Sequence, residues 1–155
     1  RILAAGHSDG TVHLWDAARG EVLRTLEAQT DYSKADGLAF SPDGEVLAVA
    51  GARLDFDHVV RLWRVSDGSV LADLPLSDSA SDVAYSPDGR LLAAASGEKA
   101  VVWNTSDWSE VATLGLPGED QTERVWVTTV AFSPDGLLLA AGRWHGVLEL
   151  WRLAQ

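Results

Sequence analysis

Short apolar runs punctuated by Gly, Pro, Asp and Ser make up nearly the whole chain. They read ILAAG, TVHLW and EVLRTLE near the start; VLAVAGA, HVVRLWRV, SVLADLPL and SDVAYS in the middle; TTVAFS, LLLAAG and VLELW near the end. Runs this short, rich in Val, Leu, Ala and aromatic residues and bounded by turn formers, are the signature of β-strands. No segment keeps a helical period beyond ten residues, so the pattern predicts an all-β protein.

The runs recur at a fixed period. The tetrapeptide Ser-Pro-Asp-Gly starts at Ser41, Ser86 and Ser133, and a tryptophan closes a strand at Trp15, Trp63, Trp103 and Trp151. The two series step in phase by 40 to 48 residues, which defines one structural unit repeated along the chain. The tetrapeptide has a mechanical reading. Proline presets φ near −65°, the aspartate (Asp43, Asp88, Asp135) hydrogen-bonds neighbouring backbone, and the glycine (Gly44, Gly89, Gly136) accepts positive φ. Each copy therefore reverses the chain between two antiparallel strands, a structural role rather than a catalytic one for the aspartate.

Four features resemble the WD40-repeat family: SPDG after a strand ending in Phe or Tyr, LAAG in the following strand, DGTVHLWD in the first unit, and the Trp-terminated third strand in all four. The resemblance implies a β-propeller of four-stranded antiparallel blades, usually seven, acting as a rigid platform for other proteins. With strands a to d in each blade, the chain divides into units at about 1–27 (lacking the first strand), 37–76, 82–116 and 127–155 (lacking the last). That is 14 strands, an incomplete arc of about three and a half blades. An open arc leaves an apolar face at each end, which needs a cover. The chain starts at Arg1 within an apolar run, so the expected cover is the remaining blades of a longer polypeptide. A second copy, or a compact four-bladed closure, are the alternatives.

The polar set that the family uses to tie its loops to the third strand is incomplete. Asp9 and Asp57 stand at the Asp position, but Glu98 and His145 replace it in the last two units. Ala5, Val49, Ala94 and Ala141 occupy the Ser position, and the Gly-His pair before the first strand is missing. Apolar packing is expected to carry the blades, with a carbonyl or water as partner of each buried indole N–H.

Charge narrows the partners. The formal charge of −11 comes from 15 Asp and 8 Glu scattered over turns, a surface that repels phosphate backbones and anionic lipid. Nucleic acid and membrane are not expected partners; no apolar run approaches a membrane span and the start lacks a signal-peptide pattern. The absence of cysteine fits a cytoplasmic location. Arginine outnumbers lysine ten to two and alanine is abundant, which suggests a bacterial source. Resemblance to bacterial members of the family then implies a larger signalling polypeptide.

Catalytic signatures for nucleotide, zinc-protease and serine-hydrolase chemistry are missing, so no enzyme activity, cofactor or metal is expected. His7, His13, His58 and His145 are isolated in sequence, and His13, beside Trp15, reads as packed or edge-exposed. Asp55, Asp57 and His58 form the strongest metal-like cluster, although Asp-rich turns are ordinary in an acidic β-protein. Asn104 opens a glycosylation-like NTS but stands at a turn.

More informative are the loops joining strand d to a and strand b to c, which the resemblance places on one rim. They carry Tyr32, Arg53, Phe56, His58, Arg124, Trp126, Arg143, Trp144 and His145. Trp, Tyr and Arg dominate binding hot spots because they bury large areas and still hydrogen-bond. This rim is the candidate partner-binding face. Trp126 and Trp144 have a second reading, as packing residues that cap a neighbouring blade. Trp108 falls in a turn on the opposite face.

Overall fold

The computed structural model describes residues 1–27, 32–53, 58–115 and 125–153, with the backbone alone for 32, 33, 52 and 53. All of its regular structure is β. Fourteen strands run in chain order: β1 Ile2–Gly6, β2 Val12–Asp16, β3 Glu21–Leu26, β4 Tyr32–Phe40, β5 Val46–Arg53, β6 His58–Arg64 and β7 Val70–Leu76; then β8 Ala80–Tyr85, β9 Leu91–Ser96, β10 Lys99–Asn104, β11 Glu110–Gly115, β12 Val127–Phe132, β13 Leu138–Arg143 and β14 Leu148–Arg152. They form four antiparallel sheets in simple meander order: β1-β2-β3, β4-β5-β6-β7, β8-β9-β10-β11 and β12-β13-β14. Sheets 2 and 3 are complete four-stranded blades, and the arc does not close.

The sheets stack face against face. Val12, Leu14 and Leu26 of sheet 1 meet Leu47, Val49 and Trp63 of sheet 2. Ala48, Ala50, Val60 and Leu62 on the other side of sheet 2 meet Val83, Leu92, Ala94 and Trp103 of sheet 3. Ala93, Ala95, Ala100 and Val102 meet Val130, Leu139 and Ala141 of sheet 4. One rule repeats: a face of small and branched residues receives the Leu–Trp face of the next sheet. Alternation along each strand delivers one residue to each side, so an interior strand is apolar on both faces. Each leucine so enclosed contributes about 1.5–3 kcal/mol.

The Ser-Pro-Asp-Gly turns are near copies. The serine N–H donates across the hairpin (Ser41 to the Val46 carbonyl, 2.8 Å), and the glycine N–H donates back to the serine carbonyl (Gly44 to Ser41, 2.8 Å). Oδ1 of Asp43 accepts from the Ser41 hydroxyl and from the Glu45 N–H at 3.0 Å. Asp88 and Asp135 repeat the pattern. Gly44, Gly89 and Gly136 have φ of 76°, 73° and 72°, the left-handed region the turn requires. The turn from strand c to d also ends on a positive-φ residue, Gly20 or Gly68, but in sheet 3 that residue is Trp108 at φ 59°. Its backbone strain is offset by packing of the ring against the core between sheets 2 and 3.

Among the described residues no protein carbonyl or side chain accepts from the indole N–H of Trp15, Trp63, Trp103 or Trp151; Trp63, Trp103 and Trp151 pack into the cores between sheets. Polar ties also run between blades. Oδ2 of Asp82 on β8 accepts from the Thr129 hydroxyl at 2.7 Å and the Val130 N–H at 3.0 Å on β12, and the Ser81 hydroxyl donates to the Val127 carbonyl at 3.0 Å. Gly37 on β4 holds the matching place one unit earlier. A Cβ there would lie 2.7 Å from the Asp82 Cα, so only glycine permits this approach of the strands.

Candidate functional site

The rim is built by the turns from strand b to c and the chain entering strand a. In sheet 4 the b-to-c turn is tight: the Arg143 N–H donates to the Val147 carbonyl at 2.9 Å and the Gly146 N–H to the Arg143 carbonyl at 3.0 Å, with Gly146 at φ 80°. The tip therefore holds Trp144 and His145 on a fixed backbone, both exposed. The backbone N–H of Trp144 donates to the Trp126 carbonyl at 3.1 Å, so the two residues stand side by side just beyond the Val127–Arg143 pair that ends the ladder of β12 and β13. Trp144 is 75% exposed and Trp126 39%. The repeat tryptophans, in contrast, are all buried or half-buried.

Arg143 leaves the rim. Its side chain is only 9% exposed and lies between sheets 3 and 4, with Nε 3.5 Å from Oε1 of Glu149. The ion pair lies at the base of the turn that carries Trp144, with no hydrogen bond from Arg143 Nε among the described residues. In sheet 1 the same two repeat places are His7 and His13, whose tilted rings meet with centroids 4.4 Å apart; the His13 ring also lies 6.3 Å from that of Trp15. The structure thus joins two histidines that the linear sequence left isolated. The b-to-c hairpin brings them together, because Gly6 pairs with Val12 and His13 with Ala5.

Other predicted residues scatter. Asp9 serves its own turn: it accepts from the N–H and hydroxyl of Thr11, and these bonds hold its carboxyl below the usual range. His58 is half-buried, and its Nδ1 is enclosed without a hydrogen-bond partner among the described residues. Beside it on β6, Arg61 makes a two-pronged ion pair with Asp73, both contacts at 2.6 Å, and lies 5.8 Å from the Trp63 ring. Phe56, Arg124, Asp55 and Asp57 lie outside the described residues, and Tyr32 and Arg53 are placed by backbone only, paired across β4 and β5. Asn104 caps its turn, its Oδ1 accepting from the N–H and hydroxyl of Ser106. Among the described residues no group of three His, Asp or Glu side chains gathers as a metal site.

Among the described residues the exposed aromatic surface of the rim is that of Trp126 and Trp144 in sheet 4. Comparison with known proteins agrees with the architecture. The family profile described as "WD domain, G-beta repeat" matches residues 1–16, 20–64, 68–104 and 111–152. The small ribosomal subunit protein RACK1z of Arabidopsis thaliana is 30% identical over 126 residues, 81% of this chain and 35% of that protein. RACK1 of Brassica napus is 29% identical over 126 residues, with the same coverage. WD repeat and SOCS box-containing protein 1 of Xenopus tropicalis is 33% identical over 66 residues, 43% of this chain and 14% of that protein. The chain spans about a third of the length of its RACK1 relatives. With four stacked antiparallel sheets and a profile match in each of them, the chain belongs to the WD40-repeat family.

Proposed function

We propose that this chain is an arc of a WD40 propeller serving as a non-catalytic scaffold for protein partners, with the rim around Trp126 and Trp144 as its contact surface. The observation that carries this reading is the exposure of Trp144 on a tight turn, outside the repeat pattern, whose own tryptophans are buried or half-buried. A preorganised aromatic residue loses little conformational entropy on binding, which makes it an efficient anchor. The similarity to proteins named as ribosomal-subunit and SOCS-box components supports a role inside assemblies. We further propose that the arc belongs to a larger bacterial signalling polypeptide of the cytoplasm whose remaining blades cover the two ends.

The test is affinity capture from the source cell with the parent protein and a Trp126→Ala/Trp144→Ala variant. Loss of partners at unchanged thermal stability supports the rim; an identical partner set contradicts it. A second reading is favoured by the exposed leucines on both end faces: the chain closes its ring with another copy. Native mass spectrometry separates the two, since a 16.6 kDa chain found only as a dimer requires self-association.

A further inference from the structure

The turn from strand c to strand d is built alike in sheets 1, 2 and 3. The N–H of Gly20, Gly68 and Trp108 donates at 2.8 Å to the carbonyl of Asp16, Arg64 and Asn104 respectively, and all three residues have positive φ. Only the side chains distinguish the copies. Trp108 packs its ring against the core between sheets 2 and 3, whereas Gly68, at the same place one unit earlier, has no ring to offer the junction of sheets 1 and 2.

A second place changes with it. Leu14, Leu62 and Val102 pair across their ladders with Arg24, Ala72 and Ala112, so Arg24 stands where the other two sheets have alanine. Arg24 Cδ lies 2.6 Å from the point where a Cβ would stand on Gly68, and Arg24 Nη2 donates to the Ser66 carbonyl at 3.1 Å. Arginine and glycine at one junction thus replace alanine and tryptophan at the next. The exchange leaves a cleft of about 290 Å³, lined by Ile2, Leu14, Leu23, Arg24, Val65 and Ser66. Its walls are β2, β3 and the turn after β6; only Ile2 comes from β1, where it pairs with Asp16. The cleft therefore belongs to the junction of sheets 1 and 2 and not to the open edge of β1.

We propose that this cleft is a docking site for a tryptophan side chain presented by a partner protein, on the face opposite the rim that carries Trp126 and Trp144. Trp108 names the occupant, because the equivalent place in the same molecule is filled by an indole. The size agrees: an apolar cavity of about 150 Å³ takes up benzene, so the cleft has room for a two-ring indole. No carboxylate among the described residues pairs with Arg24, which leaves its guanidinium free to lie over an aromatic ring while Leu14 and Val65 support the other side.

The test uses the 155-residue chain and N-acetyltryptophanamide as probe, followed by two-dimensional amide NMR. Saturable shifts are expected at Leu14, Leu23, Arg24 and Val65 to Gly68, and N-acetylleucinamide should bind there about tenfold more weakly. Transplanting the sheet 3 pair, as Arg24→Ala with Gly68→Trp, should fill the cleft from within and abolish these shifts. Equal binding by the two amides, shifts centred on Trp126 and Trp144 instead, or undiminished probe binding by the folded double variant would each overturn the site. The comparison of the two amides needs only the parent chain, so it decides the matter even where the double variant does not fold.

Discussion

The interior of the arc and its two ends are made of the same residues in the same register, yet they stand in opposite environments. Leu3, Leu47, Leu92 and Leu139 each pair across strands with a repeat tryptophan. The last three are 0% exposed and Leu3 is 58% exposed. At the other end Leu148 and Leu150 are 65% and 60% exposed, whereas Val60 and Leu62, which hold those places in sheet 2, are fully enclosed. The difference cannot lie in the local sequence. It lies in whether another sheet is present, so burial in this fold belongs to the junction between units and not to the unit itself.

If that is right, substitutions at equivalent places should differ most in cost. Leu92→Ala should destabilise by about 2–5 kcal/mol, while Leu3→Ala should change stability by no more than about 0.5 kcal/mol. Urea unfolding of both variants measures the contrast, and similar costs would show that the ends are covered in solution. Gly37→Ala sharpens it at the inner edge. The added Cβ would meet the Asp82 backbone at 2.7 Å, where neither chain has a flexible side chain to yield, so a loss of about 1–3 kcal/mol is expected.

A smaller effect of opposite sign is expected at Tyr85. Phe40 and Phe132 hold its repeat place, and the Tyr85 hydroxyl is enclosed without a partner among the described residues, with burial pushing its pKa far above the ordinary value and the Asp43 charge adding to the shift. Tyr85→Phe should raise stability by about 1 kcal/mol, read from the thermal midpoint.

The smallest contrast is in acid. Asp9, Asp43, Asp67, Asp88, Asp107 and Asp135 each accept from a Ser or Thr hydroxyl and then from backbone N–H, which lowers their pKa, for Asp67 to about 2. A carboxyl with a depressed folded pKa stabilises the fold above its unfolded value of 3.8 and loses that contribution as pH falls through the folded value. Stability should therefore decline between about pH 4 and pH 2, and Asp67→Asn should flatten the decline. Titration followed by circular dichroism reads both.

The repeat made most of the fold legible. A fixed period, a turn with defined chemistry and a tryptophan at each third strand leave little choice about strand order, and the departures from the family's polar set correctly pointed to apolar packing. What sequence could not show were contacts between units. Gly37, Asp82 and Thr129 occupy one repeat place with three different chemistries, and only the approach of neighbouring a-strands explains them. Arg143 reads as a rim residue by position but is drawn inward by Glu149, six residues away across a hairpin. His7 and His13 fill those same two places in sheet 1. That match could have flagged both pairs, had the units been aligned place by place.

The most direct measurement is amide hydrogen exchange, strand by strand, on the 155-residue chain alone. Junction-dependent stability predicts slowest exchange in β5, β6, β9 and β10, which have a sheet on both faces, and faster exchange in β1–β3 and β12–β14. Uniform protection from Ile2 to Arg152 would contradict it.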